Sequence, residues 1–335
     1  MPNKQRTIPI VILQLEALAR RLPSTHPQMK NIQDQLGRRK AGYRGEIILD
    51  KYTAHLPLSQ KHFILQDLRL PLSHASFFQI DSLLVTPRFF LPFEAKHISG
   101  SLLFDRFQLI RTLDEKEDSF PDPILQVKNH QYFLKSLMKK YAVPILPSES
   151  FVVVTQSQAK ILSNPQYPEV AQMVIRPPAI LHKWRRVDKK FSKPILTTKE
   201  LEDFSTLLID LHRPEESDIL ALFNLSKKEI IQGIYCSECQ QFSVKRIRRY
   251  WRCSLCEQRK TAEFIQALID YRLLMETSIT NREFRSFFQI QSRHMAAAML
   301  KSLHLPTKGQ YKDQQYLLDL NHLLNLKENN YGKST

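Results

Sequence analysis

Apolar side chains at helical spacing open the chain and predict a helical segment over residues 1–35. Between residues 8 and 22, the positions that follow this spacing are Ile10, Leu13, Leu15, Leu18 and Leu22. A second helical pattern follows Pro27. These patterns are typical of helices that lie ahead of a compact domain.

Short apolar runs typical of strands alternate with helical patterns over residues 36–160. One helix is expected from Gly42 to about Leu56, and a later one within ILQVKNHQYFLKSLMKKY. The strand-like runs are HFILQDLRL, FFQIDSLLVT, RFFLPFEAKHI and SFVVVTQ. This order predicts an α/β domain in which helices flank a mixed sheet.

Four further segments follow in the remaining sequence. A mixed connector is expected over residues 161–230, where prolines interrupt the apolar run MVIRPPAILHKW. A small cysteine-containing module is expected over 231–262 and an α-helical domain over 263–327. The last residues, 328–335, are expected to form a flexible tail.

Two short helices joined by a turn are expected in the helical domain. Thr280 or Asn281 can cap the first helix and Ser292 the second. On the second helix we expect Met295, Met299 and Leu303 to be buried and Arg293, His294, Ala297 and Lys301 to be exposed. The arrangement resembles a helix-turn-helix, which would make Arg293 and Lys301 nucleic-acid contacts. A helical hairpin that never touches DNA is the alternative.

The net charge of the chain indicates which class of partner it attracts. Lys and Arg number 49 against 33 Asp and Glu, which gives a net charge of +16. Such a protein attracts polyanions, so nucleic acid is the leading candidate partner. No apolar run reaches the roughly 18–20 residues that span a bilayer, and the N-terminal sequence becomes charged again too soon for a secretory signal. We therefore expect a soluble, cytoplasmic protein without a membrane partner.

Charged residues interrupt the apolar strands of the α/β domain. Glu94 and Lys96 are two residues apart and therefore share one face of a strand. A hairpin that turns at Thr86 to Phe89 would bring Asp81 close to Glu94. Two carboxylates can hold Mg²⁺ or Mn²⁺, with the backbone carbonyl of Ala95 as a further ligand. The alternative is an ordinary ion pair on the surface of a sheet.

The spacing of Asp81, Glu94 and Lys96 resembles the core of PD-(D/E)xK nucleases, with Ile80 in place of the proline of that motif. The flanking segments are similar to those of the nuclease-related domain, NERD. AGYRGE resembles the opening G-x-x-G-E of that family, EAKHISG its E-x-K followed by glycine, and PILQVKNHQYFLKSL its late helix. The similarity extends over about residues 42–155.

The resemblance implies a restriction-endonuclease-like fold and metal-dependent hydrolysis of phosphodiester bonds, with DNA as the expected substrate. It implies that Asp81 and Glu94 hold Mg²⁺ or Mn²⁺ and that Lys96 orients the nucleophile. Glu46 would reach the metal from the first helix, and Gln126 would orient substrate or water. A non-catalytic nucleic-acid-binding or regulatory protein on a nuclease-like scaffold is the alternative.

The four cysteines form two C-x2-C pairs separated by thirteen residues. Each pair can bend around one ion, and four thiolates suit structural Zn²⁺. The predicted ligands are Cys236, Cys239, Cys253 and Cys256. A redox dithiol is the alternative, although one pair would suffice for it.

Basic and aromatic residues lie between the two cysteine pairs. Arginine side chains and aromatic faces together bind phosphates and stack on bases, so this segment is a candidate nucleic-acid contact. The candidate residues are Lys245, Arg246, Arg248, Arg249, Trp251 and Arg252. The alternative is a solvated basic hairpin in which Trp251 covers a small core. The sequence leaves DNA versus RNA, endo versus exo cleavage and the oligomeric state open.

Overall fold

A computed structural model describes residues 3–58, 60–73, 76–215, 217–248 and 250–331. The chain divides into two compact units. The first unit comprises Met1–Ile8 and Arg38–Glu215, and the second comprises Pro9–Gly37 and Glu216–Thr335. Within the described residues, no helix is both long enough and apolar enough to cross a membrane.

Eleven α-helices are present in the described part of the chain. Their bounds are α1 Ile10–Arg21, α2 Met29–Ala54, α3 Pro123–Lys140, α4 Glu169–Met173, α5 Ile180–Lys190, α6 Thr198–Leu211, α7 Ile219–Leu222, α8 Thr261–Leu274, α9 Asn281–Phe288, α10 Arg293–Ser302 and α11 Leu320–Tyr331. Short 3₁₀ turns occupy Pro177–Ala179, Lys227–Glu229 and Tyr311–Asp313.

Fifteen strands lie between the helices in the same described ranges. Their bounds are β1 Phe63–Pro71, β2 Phe77–Val85, β3 Phe90–Lys96, β4 Ser101–Asp105, β5 Gln108–Leu113, β6 Lys116–Pro121, β7 Phe151–Val154, β8 Lys160–Ser163, β9 Val174–Ile175, β10 Ile234–Cys236, β11 Gln241–Ile247, β12 Tyr250–Cys253, β13 Ser278–Thr280, β14 Thr307–Lys308 and β15 Gln315–Leu317.

A five-stranded mixed sheet forms the centre of the first unit. Its order is β1-β2-β3-β7-β9, with antiparallel pairing from β1 to β3 and parallel pairing from β3 to β9. One hydrophobic cluster packs α3 and α6 against the sheet, and another packs α2 and α5 against it. A second sheet has the order β6-β5-β4-β8. The predicted α/β class with helices flanking a mixed sheet is confirmed.

Helix α2 corrects the expected start of the first helix of the α/β domain. The sequence predicted a helix from Gly42, preceded by a separate helical pattern, but α2 runs without a break over Met29–Ala54. No proline interrupts these residues, and glycine inside a helix costs only about 1 kcal/mol relative to alanine. The glycines therefore lie within one helix instead of separating two.

Residues of the expected connector belong to two places in the structure. Strand β9 extends the five-stranded sheet, and α5 and α6 lie in the hydrophobic clusters of the first unit. Helix α7 lies in the second unit. The boundary between the units therefore falls after Glu215, not at residue 160, because α5 and α6 supply apolar faces that cover the sheet.

Helix α8 lies at the centre of the second unit, and ten of its residues are buried. It contacts α1, α11 and strand β10. Strands β10, β11 and β12 form one small antiparallel sheet, and a second has the order β13-β15-β14.

The end of the chain departs from the expected flexible tail over 328–335. Helix α11 continues to Tyr331, beyond the predicted end at Lys327, and residues 332–335 lie outside the described residues. The helix continues because neither proline nor glycine occurs between Leu320 and Gly332.

Candidate active site and cysteine cluster

A β-hairpin brings the predicted carboxylates and lysine together. Strands β2 and β3 pair in a register that joins Val85 to Phe90 and Ser82 to Phe93. In the turn, the Thr86 hydroxyl accepts a hydrogen bond from the backbone N–H of Phe89 at 3.0 Å. This confirms the predicted hairpin, because the paired strands place Asp81 beside the E-x-K segment.

Four of the predicted catalytic side chains form one contact network. Asp81 Oδ2 accepts a hydrogen bond from the backbone N–H of Ala95 at 2.7 Å. Lys96 Nζ donates to Glu94 Oε1 at 2.6 Å and to Gln126 Oε1 at 3.1 Å. Gln126 reaches this point from the first turn of α3, whose N-cap is Asp122. The hairpin and the helix therefore converge on Lys96.

The negative charge of this network is incompletely compensated. Asp81 is 8% exposed and Glu94 is 4% exposed. Burial, followed by the charge of Asp81, raises the pKa of Glu94 to about 8. Burial also raises the pKa of Asp81. Lys96 is also buried, which lowers its pKa, but its contact with Glu94 outweighs this and the pKa is raised.

One oxygen of Glu94 has no hydrogen-bond partner among the described residues. Glu94 Oε2 is buried, whereas Oε1 accepts from Lys96. A buried carboxylate oxygen without a donor is costly unless a cation neutralises it. Carboxylate oxygens are the ligands that Mg²⁺ and Mn²⁺ prefer, so Asp81 and Glu94 fit a hard divalent cation.

Glu46 lies on α2 beside this network, and its partner is Arg6. The Arg6 guanidinium pairs with Glu46 and with Asp50, the latter at 2.7 Å, and it donates to the backbone carbonyl of Asp81 at 2.5 Å. Burial and the charge of Asp81 raise the pKa of Glu46 to about 7, although Arg6 opposes the shift. Sequence reasoning missed Arg6, since nothing in its local pattern marks a partner 40 residues away.

The close approach of α2 to the sheet explains the glycine before Glu46. A Cβ atom on Gly45 would lie 2.4 Å from His97 Cβ and 2.8 Å from Thr155 Oγ1. Only glycine fits there without displacement of backbone or side chains. Gly42 has nothing within 4 Å of the corresponding position. Of the two glycines in the AGYRGE segment, Gly45 is therefore the one that positions Glu46.

The four cysteines lie together in the second unit. Their sulfur atoms are all within 4.8 Å of one another, and the Cys236–Cys256 and Cys239–Cys253 Sγ pairs are each 3.8 Å apart. Tetrahedral Zn²⁺ with Zn–S bonds of about 2.3 Å requires sulfur–sulfur distances of about 3.8 Å. The cluster therefore has the geometry that could hold zinc.

Backbone donors surround Cys253 and favour its thiolate form. Its Sγ accepts from the N–H groups of Leu255 at 3.3 Å and Cys256 at 3.4 Å, and it lies 3.1 Å from Ser243 Oγ. Burial raises the pKa of Cys253, but the contacts with Ser243 and the two N–H groups lower it to about 6. Thiolates are the form in which cysteines bind zinc.

The structure corrects one of the predicted nucleic-acid contacts between the cysteine pairs. Trp251 is 2% exposed and stacks on Phe264, with ring centroids 5.0 Å apart. It cannot offer a face to a base, because β12 directs its ring into the hydrophobic core. The Arg246 guanidinium lies over the Trp251 ring, with its central carbon 5.5 Å from the ring centroid.

The remaining basic candidates of this hairpin differ in their environments. Lys245 and Arg248 are exposed. Arg252 pairs with Glu257 at 2.7 Å. Arg249 lies outside the described residues.

Helices α9 and α10 lie where two short helices were predicted. Thr280 and Glu283 form a capping box on α9, and the Ser292 hydroxyl caps α10 by accepting from Met295 N–H at 3.2 Å. Arg293 and Lys301 are exposed, as expected. The expectation that Met295 is buried is wrong, since it is 39% exposed while Ala296 and Leu300 face the core.

The comparison with protein families identifies the domain that carries the carboxylates. Residues 41–155 match the family model of the nuclease-related domain, NERD. This confirms the resemblance seen in the sequence and establishes a nuclease-like fold for this part of the chain. The match includes Glu46, Asp81, Glu94, Lys96 and Gln126, whereas Arg6 lies outside it. No curated protein and no solved structure matches the chain.

Proposed function

We propose that the protein is a metal-dependent nuclease that hydrolyses phosphodiester bonds of DNA. The observation that carries the proposal is the buried Glu94 carboxylate, whose Oε2 has no donor within the described residues, beside Asp81 and Lys96. In an ion pair with a purely structural role both carboxylate oxygens would have donors, whereas Glu94 Oε2 has none within the described residues although Lys96 and Arg6 lie nearby. The nuclease-related domain agrees with this interpretation.

Each residue of the network has a distinct role in the proposal. Asp81 and Glu94 would hold Mg²⁺ or Mn²⁺, with the backbone carbonyl of Ala95 as a further ligand. When bound, the ion lowers the pKa of a ligated water and polarises the scissile phosphate. Lys96 orients the attacking water and stabilises the developing negative charge. Gln126 fixes Lys96 through the 3.1 Å hydrogen bond, and Glu46 completes the acidic surface.

We further propose that the four cysteines bind structural Zn²⁺. Four protein ligands leave no position open for substrate, so the ion would stabilise the β10–β12 module and take no part in hydrolysis. Metal analysis by mass spectrometry tests this proposal. One equivalent of zinc in the wild type and none in Cys236→Ser/Cys256→Ser would support it. A metal-free wild type purified without chelator would contradict it.

The order of elements around α9 and α10 supports a DNA-binding role for this helix pair. Strand β13 precedes α9, the β14–β15 hairpin follows α10, and β15 lies between β13 and β14 in the sheet. This is the order of a winged helix-turn-helix. The exposed face of α10 carries Arg293 and Lys301 and no acidic residue. A helix and a two-stranded hairpin are both able to enter the grooves of duplex DNA.

Cleavage of labelled single- and double-stranded DNA and RNA in Mg²⁺, Mn²⁺ or EDTA tests the nuclease. The variants Glu94→Gln and Lys96→Met should lower the cleavage rate by about 10²–10³-fold, the size typical of lost electrostatic stabilisation. Glu202→Gln serves as a matched control, because Glu202 is an exposed carboxylate that pairs with Lys61 on the surface. DNA cut in Mg²⁺ but not in EDTA, with RNA left intact, is the expected pattern.

Two results would contradict the nuclease. Full cleavage activity in Glu94→Gln would show that this site does not catalyse the hydrolysis. Intact nucleic acid in every lane, together with salt-sensitive binding, would instead support the non-catalytic binding protein.

A further inference from the structure

Helix α5 concentrates positive charge on one face of the first unit. Five of its eleven residues are Lys or Arg, namely Lys183, Arg185, Arg186, Lys189 and Lys190. Ile180, Trp184 and Val187 are buried in the cluster that also contains Leu49 of α2. The cations therefore lie on the opposite side of α5, and the exposed ones are Arg185, Arg186, Lys189 and Lys190.

The acidic residues near α5 do not balance this face. Asp188, the acidic residue of the helix, pairs with Arg88, whose guanidinium also donates to the Asp188 carbonyl at 3.1 Å. Glu149 is shared by two cations, Arg186 at 2.7 Å and Lys190 at 2.9 Å. Within the described part of the chain, Arg185 and Lys189 form no ion pair.

The spacing of these cations is unfavourable for an isolated helix. Arg185 and Lys189, like Arg186 and Lys190, are four residues apart, and like charges at this spacing repel each other. An external polyanion would remove this repulsion. A row of phosphates is such a polyanion and neutralises several cations at once.

A cleft beside α5 offers further hydrogen-bond donors to a phosphate. The cleft has a volume of about 480 Å³, and its lining includes Arg186 and Lys190 from α5, Lys128 and Gln131 from α3, and Ser150. Ser150 is 4% exposed, and its Oγ has no hydrogen-bond partner among the described residues. This hydroxyl is shielded from solvent, so a phosphate in the cleft would be held by the solvent-accessible cations Lys128, Arg186 and Lys190.

The burial of the apolar face separates nucleic acid from a membrane as the partner. A basic amphipathic helix binds a membrane by inserting its apolar side between lipids. Trp184 is 7% exposed and Val187 is fully buried, so the apolar side of α5 is already packed in the core. Leu181 is 37% exposed, but a single leucine is a small apolar surface beside four exposed cations, a composition that suits a phosphate backbone.

We propose that α5 and the adjacent cleft bind the phosphodiester backbone of nucleic acid without reading its sequence. This inference rests on the proposed function, because the backbone bound here would be that of the nuclease substrate. Arg185 and Lys189 contact phosphates directly, and Glu149 holds Arg186 and Lys190 in place at the edge of the cleft. The surface would supply affinity and leave the chemistry to Asp81, Glu94 and Lys96.

Binding of fluorescein-labelled duplex DNA, measured by fluorescence anisotropy at several KCl concentrations, tests this proposal. All proteins carry Glu94→Gln, so that the DNA stays intact during the titration. Arg185→Gln/Lys189→Gln should weaken binding by about tenfold and reduce the slope of log K against log salt by about 2, since each lost phosphate contact removes about 0.9. Lys139→Gln/Lys140→Gln, on exposed residues at the end of α3, is the control with the same change in charge.

A second variant guards against loss of the helix itself. Arg185→Glu places an acidic residue four positions before Lys189, a pair that stabilises helices, and it should still weaken DNA binding. Equal affinity and equal salt slope in both α5 variants and in the Lys139/Lys140 control would overturn the proposal while leaving the nuclease intact. Weaker binding of the α5 variants to phosphatidylserine vesicles, with unchanged DNA binding, would overturn it in favour of a membrane.

Cleavage kinetics separate this inference from the proposed function, and for these assays the α5 substitutions are made in the protein that retains the native Glu94. The α5 variants should raise KM about tenfold at unchanged kcat, because the lost contacts are the same in ground and transition states. A fall in kcat at unchanged KM would overturn the backbone-binding role. If the wild type neither cuts nor binds any nucleic acid, the proposed function fails, and this inference fails with it.

Discussion

Two buried acidic sites, one in each unit, differ in how their charge is balanced. In the second unit, Asp270 is 1% exposed and accepts hydrogen bonds from Arg20 at 2.7 Å, Arg21 at 2.9 Å and Gln266 at 2.8 Å. Burial raises the pKa of Asp270, but Arg21 and Arg20 outweigh it and the pKa is lowered. In the first unit, burial and Asp81 raise the pKa of Glu94 to about 8.

The difference separates a charge that holds the fold together from a charge that serves a ligand. Asp270 joins α1 to α8, and each of its two carboxylate oxygens accepts a hydrogen bond from an arginine of α1. Glu94 has one lysine contact and an oxygen without a donor in the described residues. A protein retains such a deficit where an external cation completes the balance.

The two tryptophans allow the sites to be measured separately. The chain contains two Trp residues, Trp184 in the first unit and Trp251 in the second, and both are buried. A Trp251→Phe background therefore reports unfolding of the first unit by fluorescence. A Trp184→Phe background reports unfolding of the second.

The largest effect on stability is expected from substitution of Asp270, the buried acidic residue whose charge is balanced by arginines. Asp270→Asn leaves Arg21 buried with its charge unpaired, so the free energy of unfolding of the second unit should fall by about 3–5 kcal/mol in urea. Glu328→Gln, on an exposed residue of α11, is the control and should change it by less than about 0.5 kcal/mol. Equal effects of the two substitutions on the free energy of unfolding would contradict the conclusion that Asp270 holds the second unit together.

Magnesium should stabilise one unit and leave the other unchanged. At about 100 times its dissociation constant, Mg²⁺ should raise the free energy of unfolding of the first unit by about 2.7 kcal/mol. The increase should disappear in Glu94→Gln, and the Trp251 signal should not respond in any variant. A similar gain in both units would show nonspecific ion binding.

The pH dependence of stability should have opposite signs in the two units. In EDTA, raising the pH from about 6.5 to about 9 should cost the first unit about 2 kcal/mol, because native Glu94 keeps its proton up to about pH 8 while the unfolded chain has lost it. Mg²⁺ or Glu94→Gln should flatten this profile.

The lowered pKa of Asp270 predicts that its contribution to the stability of the second unit is lost at acidic pH, below about 4. Urea titrations of the first unit between about pH 6.5 and 9, and of the second unit from about pH 6.5 down to below about 4, check the two directions.

The smallest expected effect concerns the arginines of the two sites. Arg6→Gln removes a positive charge next to Glu46 and Asp81, so Mg²⁺ should bind about fivefold more tightly, or by about 1 kcal/mol. Arg20→Gln is the matched control in the second unit and should leave Mg²⁺ affinity unchanged. Isothermal titration calorimetry measures both. Weaker Mg²⁺ binding in Arg6→Gln would mean that Arg6 builds the cation site instead of opposing the cation.

Local spacing was enough to predict the hairpin that carries Asp81 and Glu94 and the cluster of four cysteines. It failed for Trp251, because a period-two strand pattern does not say which face meets a neighbouring helix. It also missed α5 as a charged surface, since only a mixed connector interrupted by prolines was predicted over these residues. The packing of Ile180, Trp184 and Val187 against the sheet is what exposes the cations.

The sequence by itself determined which chemical groups are available: the carboxylates and lysine of the hairpin, the paired cysteines and the excess of basic residues. The tertiary structure alone decided which of these charges are compensated. Arg6 reaches Glu46 and Asp50 across the fold, and Arg20 and Arg21 reach Asp270 from a helix nearly 250 residues away. Burial and distance between atoms set the energy of a charge, and neither follows from local spacing.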